Sequence, residues 1–489
     1  MKTKNHIAVL LGFGVLIYGM SSTANNEFQQ WMQQQSEAVQ TRKVEFQEYK
    51  DKRDKDFTAF LKAQWKAVDI VKGDVRDEEP KPDVMPVAPA EPVSKVPVDV
   101  PVAVSVPELE PKPVVVPEPR PAAVPEGESL NIDFYGKQIR FYYDNDLKQN
   151  LNRRIDKAAV SDYWSALSRT EYESLLTQLD AQKKYLQLND WAYASLINKI
   201  ALKVNTGRQN ETALLSWFLL AKSGYRARIA YNDTAIYLLV PSQQEMFEVS
   251  YFTFSGKRYY AVEFDGAKQN LGRVFTYDGE YPDTIKDFNM RVTPAVASSD
   301  QSERRHLTFE FEGQKYNIEA TYDRGRIKFF STYPQLNLDL YFGSGVYKVT
   351  ATPLQKQLAG FMQGMSEPQA VNFLLRFVQT SLQYETDEQQ FGEENYLFPE
   401  ETLFYPYSDC EDRAVLFAWL VNSLLKLDVV GLDYPGHVAT AVDFKQTVKG
   451  DSVNYKGRRY VVADPTYINA VAGMSMPKFK QYKPTVIAY

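Results

Sequence analysis

Read from its N-terminus, the chain opens with Lys2 and Lys4 and a nearly continuous apolar run from Ile7 to Met20, followed by the small residues Ser22, Thr23 and Ala24. That run is short for a spanning helix and suits the core of a secretory signal peptide. Residues 1–24 are therefore expected to be a cleaved signal, with an uncleaved N-terminal membrane anchor as the alternative. Across 25–77 the pattern changes. Phe28, Trp31, Met32, Val39, Phe46, Tyr49, Phe57, Phe60, Leu61, Trp65 and Val68 recur mostly at steps of three, four or seven among polar residues. Such spacing predicts a long amphipathic helix or helix pair: a coiled coil, a membrane-surface helix, a helix docking on an envelope partner, or one laid back on the globular body. From 78 to 127 periodicity vanishes. Fourteen of the chain's 26 prolines lie here, so this stretch is expected to be a disordered, extended spacer with no fixed fold.

Beyond the spacer, one pattern of strands and helices occurs twice. NIDFYGKQIRFYYD (131–144) and FEFEGQKYNIEATYD (309–323) each read as strand, turn and strand. A helical pair follows in each, and then QNETALLSWFLL against DCEDRAVLFAWL; GKRYYAVEF at Gly256 finally matches GRRYVVADP at Gly457. The pattern predicts an α+β chain with two tandem domains, 128–295 and 306–489. Aligning the copies puts Gln209 where Cys410 stands and Glu263 where Asp464 stands, and no histidine lies near Asp233. The aromatic segments of the first copy, such as Tyr251 and Phe252, suit either a binding surface or an ordinary strand core.

Composition narrows the chemistry. The formal net charge of −6 argues against nucleic acid as the main partner. One cysteine excludes an internal disulfide framework, and with three histidines it leaves no zinc-ligand set. No glycine-rich phosphate loop is present. No metal or other cofactor is expected, although a site built only of carboxylates stays open. His306 sits at an exposed strand start and carries no role.

The single cysteine is the centre of what remains. Cys410 precedes two acids and an apolar-periodic run (Ala414, Leu416, Phe417, Leu420, Val421, Leu424), which places it at a helix N-terminus. There the helix dipole and free N–H groups favour a thiolate and an oxyanion. His437 follows a Pro-Gly turn and opens a strand, VATAVDF. Asp464 ends another strand, RRYVVAD, just before Pro465. A thiol, a base and a carboxylate to orient the base are the parts of a nucleophilic relay.

Residues 365–470, with Asp409-Cys410, His437 at a strand head and Asp464-Pro465, resemble the catalytic core of the transglutaminase-like superfamily; NFLLRFVQTSLQYETD and FPEETL resemble the helix and loop ahead of its thiol. The resemblance implies a papain-like Cys-His-Asp fold in 306–489, with 128–295 a degenerate sister lacking the triad. In bacterial members it implies a cysteine peptidase or amidase cleaving amide bonds, with Tyr407 from the preceding loop as a candidate oxyanion donor beside the Cys410 N–H. Together with the signal-like N-terminus, it points to a periplasmic hydrolase acting on a protein or peptide of the cell envelope, secreted or held at the inner membrane. Two other readings stay open: a non-catalytic envelope scaffold that binds through both copies, and a protein cross-linking transglutaminase.

Overall fold

The computed structural model describes residues 22–76, 81–82, 84–89, 104, 127–151, 154–266, 271–292, 299 and 301–489. The apolar run Ile7–Met20 lies outside them, and so does most of the proline-rich stretch. Two units are distinguished, residues 1–59 and 60–489.

The first unit is dominated by α1, a continuous helix over Ser22–Ala63 whose last residues belong to the second unit. Polar pairs one turn apart run along it, such as Gln33–Glu37 and Gln47–Asp51. Phe28, Trp31, Met32, Val39, Phe46 and Tyr49 are all exposed. No described helix is long and apolar enough to cross a membrane. The helical expectation for 25–77 fails past Ala63: Lys66–Val68 is a strand, β1, and Val71 makes a β-bridge to Tyr251. The cause is tertiary. Trp65 packs on the rings of Tyr231 and Tyr277, at 4.8 and 5.0 Å between centroids, and so delivers the following backbone to a sheet edge.

In the second unit, a hairpin of β2 (Glu128–Phe134) and β3 (Lys137–Tyr143) leads into four helices, α2 (Lys157–Leu167), α3 (Glu173–Tyr185), α4 (Asp190–Val204) and α5 (Gln209–Lys222). Strands β4 (Arg228–Tyr231), β5 (Ile236–Pro241), β6 (Tyr251–Phe254), β7 (Lys257–Ala261) and β8 (Val274–Thr276) then join β1 in an antiparallel sheet ordered β1-β8-β4-β5-β7-β6. A second hairpin, β9 (Ser302–Phe311) with β10 (Gln314–Asp323), starts four residues before the expected boundary at 306. Helices α6 (Arg324–Phe330), α7 (Leu338–Phe342), α8 (Lys348–Phe361), α9 (Glu367–Ser381), α10 (Asp387–Gln390), α11 (Pro399–Phe404) and α12 (Cys410–Leu425) follow. The last strands are β11 (Val429–Tyr434), β12 (His437–Val442), β13 (Ser452–Tyr455), β14 (Arg458–Ala463) and β15 (Thr485–Ile487), in the antiparallel order β13-β14-β12-β11-β15.

The two halves share an order of elements. Five element starts pair at a constant offset: 209 with 410, 228 with 429, 236 with 437, 251 with 452 and 257 with 458. The neighbour order β8-β4-β5-β7-β6 is repeated as β15-β11-β12-β14-β13. Equivalent hairpins also turn alike: Ser255-Gly256 and Lys456-Gly457 both carry positive φ at each residue, the backbone that matches the twist of a two-residue hairpin and that glycine adopts without a Cβ penalty.

The core explains why the thiol helix sits where it does. Leu416, Phe417, Leu420, Val421 and Leu424 of α12 are fully buried against α9, β11 and β12. At about 1.5–3 kcal/mol per large apolar side chain, this face fixes the helix against the sheet. The described part of the proline-rich stretch departs from expectation. Residues around Val87 lie against the second half: Ala88 N–H donates to Ile468 O at 2.8 Å, and Ile468 N–H to Pro86 O at 3.0 Å. Ala88 is buried among Val430, Leu432, Tyr460 and Tyr467. Proline content argues for extension on average; it says nothing against an extended segment finding a strand-like partner.

Candidate active site

Cys410 is the first residue of α12, and Asp409 is its N-cap. The Asp409 N–H is 3.4 Å from Asp412 Oδ2, while Asp412 Oδ1 accepts the Leu397 N–H at 2.8 Å, so the helix start is tied to the preceding loop. Arg413 ties it again. Its buried guanidinium donates to Ser408 O and Oγ, to Gln379 O and to Leu382 O. Burial lowers its pKa to about 10.

His437 heads β12, directly after the turn at Pro435-Gly436, where Gly436 supplies the positive φ that the tight connection needs. Its Nε2 lies 2.8 Å from Asp464 Oδ2. Asp464 Oδ1 in turn accepts the N–H groups of Thr466 and Tyr467 at 2.9 and 3.2 Å. Gln379 Nε2 reaches the carbonyls of Asp464, Tyr467 and Ala470, holding the same turn from behind. Phe479 stacks on the imidazole at 4.9 Å with 13° between planes. Histidine and carboxylate are both buried. The remaining ring nitrogen, Nδ1, is buried and, among the described residues, has no hydrogen-bond partner. This is the arrangement of an oriented base: one nitrogen fixed by a carboxylate, the other open for a proton.

Cys410 lies against the same strand. The Val438 N–H, one residue past His437, points to its Sγ at 3.4 Å. The thiol's own hydrogen bond runs to Glu411 Oε2 at 3.1 Å, and none joins it to His437. It is fully buried. Burial pushes its pKa well above the ordinary thiol value, and the carboxylates of Glu411 and Asp409 push it further, against the lowering pull of Lys81. A helix N-terminus was expected to favour a thiolate; burial of the sulfur, with the two acids flanking it, works against that in this state. Tyr407 lies three residues before Cys410. It is half-buried, its backbone bridges to Gln383, and no side-chain hydrogen bond joins it to the relay.

The sequence reading missed the acidic surroundings of the thiol. Asp387, Glu394, Asp409 and Glu411 bring carboxylate oxygens within 4.8 Å of one another. Lys81 lies among them, with its Nζ bonded to Glu394 and Glu411 and 3.0 Å from Asp409 Oδ2. Burial works against this ammonium, yet Glu411, Asp409 and the other anionic groups outweigh it and hold its pKa well above the ordinary lysine value. The two acids after Cys410 were visible in sequence; their shared partner, more than 300 residues upstream, was not.

A cleft of about 850 Å³ opens beside the base, lined among others by Arg76, Lys81, Phe247, Tyr434, His437 and Val438. The first half contributes Phe247 to it. At the positions equivalent to the relay, the first half carries Gln209 opening α5, Ile236 heading β5 and Glu263 after β7, and these supply neither thiol nor base. Six of the cleft's lining residues, Asp433 to Val438, come from the end of β11, the Pro435-Gly436 turn and the start of β12. No family model matches the chain, and no curated protein or solved structure matches it.

Proposed function

We propose that the chain is a cysteine peptidase or amidase of the transglutaminase-like kind, built of two tandem domains of which only the second keeps a relay. The observation that carries this reading is the 2.8 Å His437–Asp464 pair with Nδ1 left open, on the strand whose next N–H touches the Cys410 sulfur. In the reaction the thiol turns from Glu411 towards Nδ1. His437 takes its proton as sulfur attacks an amide carbonyl; the imidazolium, stabilised by Asp464, then protonates the departing amine. Water hydrolyses the thioester and the thiol is restored. The Cys410 N–H, which at the first position of α12 has no intrahelical acceptor, is the donor that would hold the developing oxyanion.

The substrate in this reading is a protein or peptide of the cell envelope, reached by a chain exported through residues 1–24. The binding-scaffold reading draws on one observation of its own, the fully buried thiol hydrogen-bonded to Glu411. The test is incubation of the chain and Cys410→Ala with unfolded protein, followed by mass spectrometry. New peptide ends or deamidated glutamines that need Cys410 support hydrolysis, and incorporation of an added amine points to cross-linking. Neither change, with a thiol shown to be accessible, rejects acyl transfer.

A further inference from the structure

Lys81 is a surface-type residue in a proline-rich segment, yet its side chain is 6% exposed. What buries it is a set of four acids drawn from α10, the following loop and the start of α12, with Asp387 Oδ2 at 3.9 Å completing the group. A single ammonium among four carboxylates leaves an excess of acceptors, and Asp409 Oδ1, fully buried, has no hydrogen-bond partner among the described residues. Two of the four, Asp409 and Glu411, are the sequence neighbours of the candidate nucleophile. The described residues after Lys81 are held as an extended ligand is held. The Tyr384 hydroxyl donates to Pro82 O at 2.7 Å, Arg413 Nη1 meets Met85 Sδ at 2.9 Å, and Pro86 and Ala88 pair in strand fashion with Ile468, four residues past Asp464. Main-chain pairing with one side chain in a specific pocket is how extended peptides are recognised.

We propose that the carboxylate cradle of Asp387, Glu394, Asp409 and Glu411 is a recognition subsite for a lysine side chain on an extended peptide passing the thiol, and that Lys81 fills it with the chain's own segment. The inference deepens the acyl-transfer reading and rests on it for the peptide's role; the cradle itself rests on the contacts above. A compact ammonium with three donors matches acceptors converging from several directions, whereas a planar guanidinium directs its donors in one plane.

The test is the rate of alkylation of Cys410 by iodoacetamide, read by intact mass in the full-length chain. Lys81→Met keeps the apolar stem and removes the ammonium. Compared at the high-pH plateau of each pH–rate profile, so that the lost lowering pull of Lys81 on the thiol pKa does not enter, it is expected to alkylate at least about tenfold faster than the parent, because the covering segment loses its anchor. n-Butylammonium is then expected to slow the variant back towards the parent rate, n-butanol to leave it unchanged, and the parent to ignore both. Glu394→Gln, which keeps Lys81 and alters only the partly exposed wall of the cradle, is expected to raise the parent's rate and gives the same answer should Lys81→Met not fold. Equal rates in parent, Lys81→Met and Glu394→Gln overturn the proposal, as does equal protection by n-butylammonium and n-butanol. A freed thiol that obeys these rules yet turns over no amide rejects the acyl-transfer reading and leaves the cradle standing.

Discussion

Replacing Asp464 by Asn and by Ala separates the two jobs of its carboxylate. Oδ1 accepts the buried N–H groups of Thr466 and Tyr467, and Oδ2 holds His437 Nε2. Asparagine keeps the first job through its carbonyl oxygen and fails the second, since its amide offers Nε2 a donor and selects the other tautomer. Alanine fails both. A buried N–H left without an acceptor costs about 1–3 kcal/mol, so Asp464→Ala is expected to lose about 2–6 kcal/mol through this turn and Asp464→Asn about 1 kcal/mol. The assay is hydrogen exchange of the Thr466 and Tyr467 amides, with thermal unfolding alongside. Protection should persist in Asp464→Asn and fall by about 30-fold or more in Asp464→Ala, the equivalent of about 2 kcal/mol. Cys410-dependent turnover should fall in both, by about 10³–10⁴ if the base loses its orientation. Equal loss of protection in the two variants would refute the division of labour between the oxygens.

Glu411→Gln removes the carboxylate that accepts the thiol's hydrogen bond and repels its anion; the Cys410 pKa should drop and alkylation at neutral pH should speed up, as a pH–rate series will show. Burial lifts Glu401 from 4.5 to about 8, so the folded chain keeps a proton that the unfolded chain releases. Its contribution to stability is full below pH 4.5 and is lost as pH rises to about 8; Glu401→Gln should flatten that slope in unfolding measured between those values. Arg326 Nε and Glu400 Oε2 form a fully buried ion pair at 2.6 Å, and Glu400→Gln should destabilise the chain in thermal unfolding, by up to about 3–5 kcal/mol, because it removes the negative charge facing a buried guanidinium.

Much of the second half was legible because its signals are local. The apolar period after Cys410 gives α12, the Pro-Gly turn gives the head of β12, and Lys456-Gly457 gives the hairpin that ends at Asp464. The paired patterns at 131–144 and 309–323 likewise correspond to the two observed hairpins. What stayed hidden depends on partners distant in sequence. Lys66–Val68 has the composition of a helix end and becomes a strand only because β8 offers it an edge. Lys81 lies in a segment whose prolines predict a free spacer, and nothing near it in sequence announces four carboxylates at 387–411. The upward push on the thiol's pKa was hidden for another reason: its largest cause is burial, which local sequence does not show, although the flanking Asp409 and Glu411 were in plain view.

The claim at the centre of this account is that His437 serves Cys410. The most direct measurement is the alkylation rate of the single thiol at pH 7 in Lys81→Met, with and without His437→Ala. Removing His437 is expected to slow the reaction by at least about tenfold, because in the proposed relay the open Nδ1 takes the thiol's proton. Equal rates with and without the imidazole would contradict it.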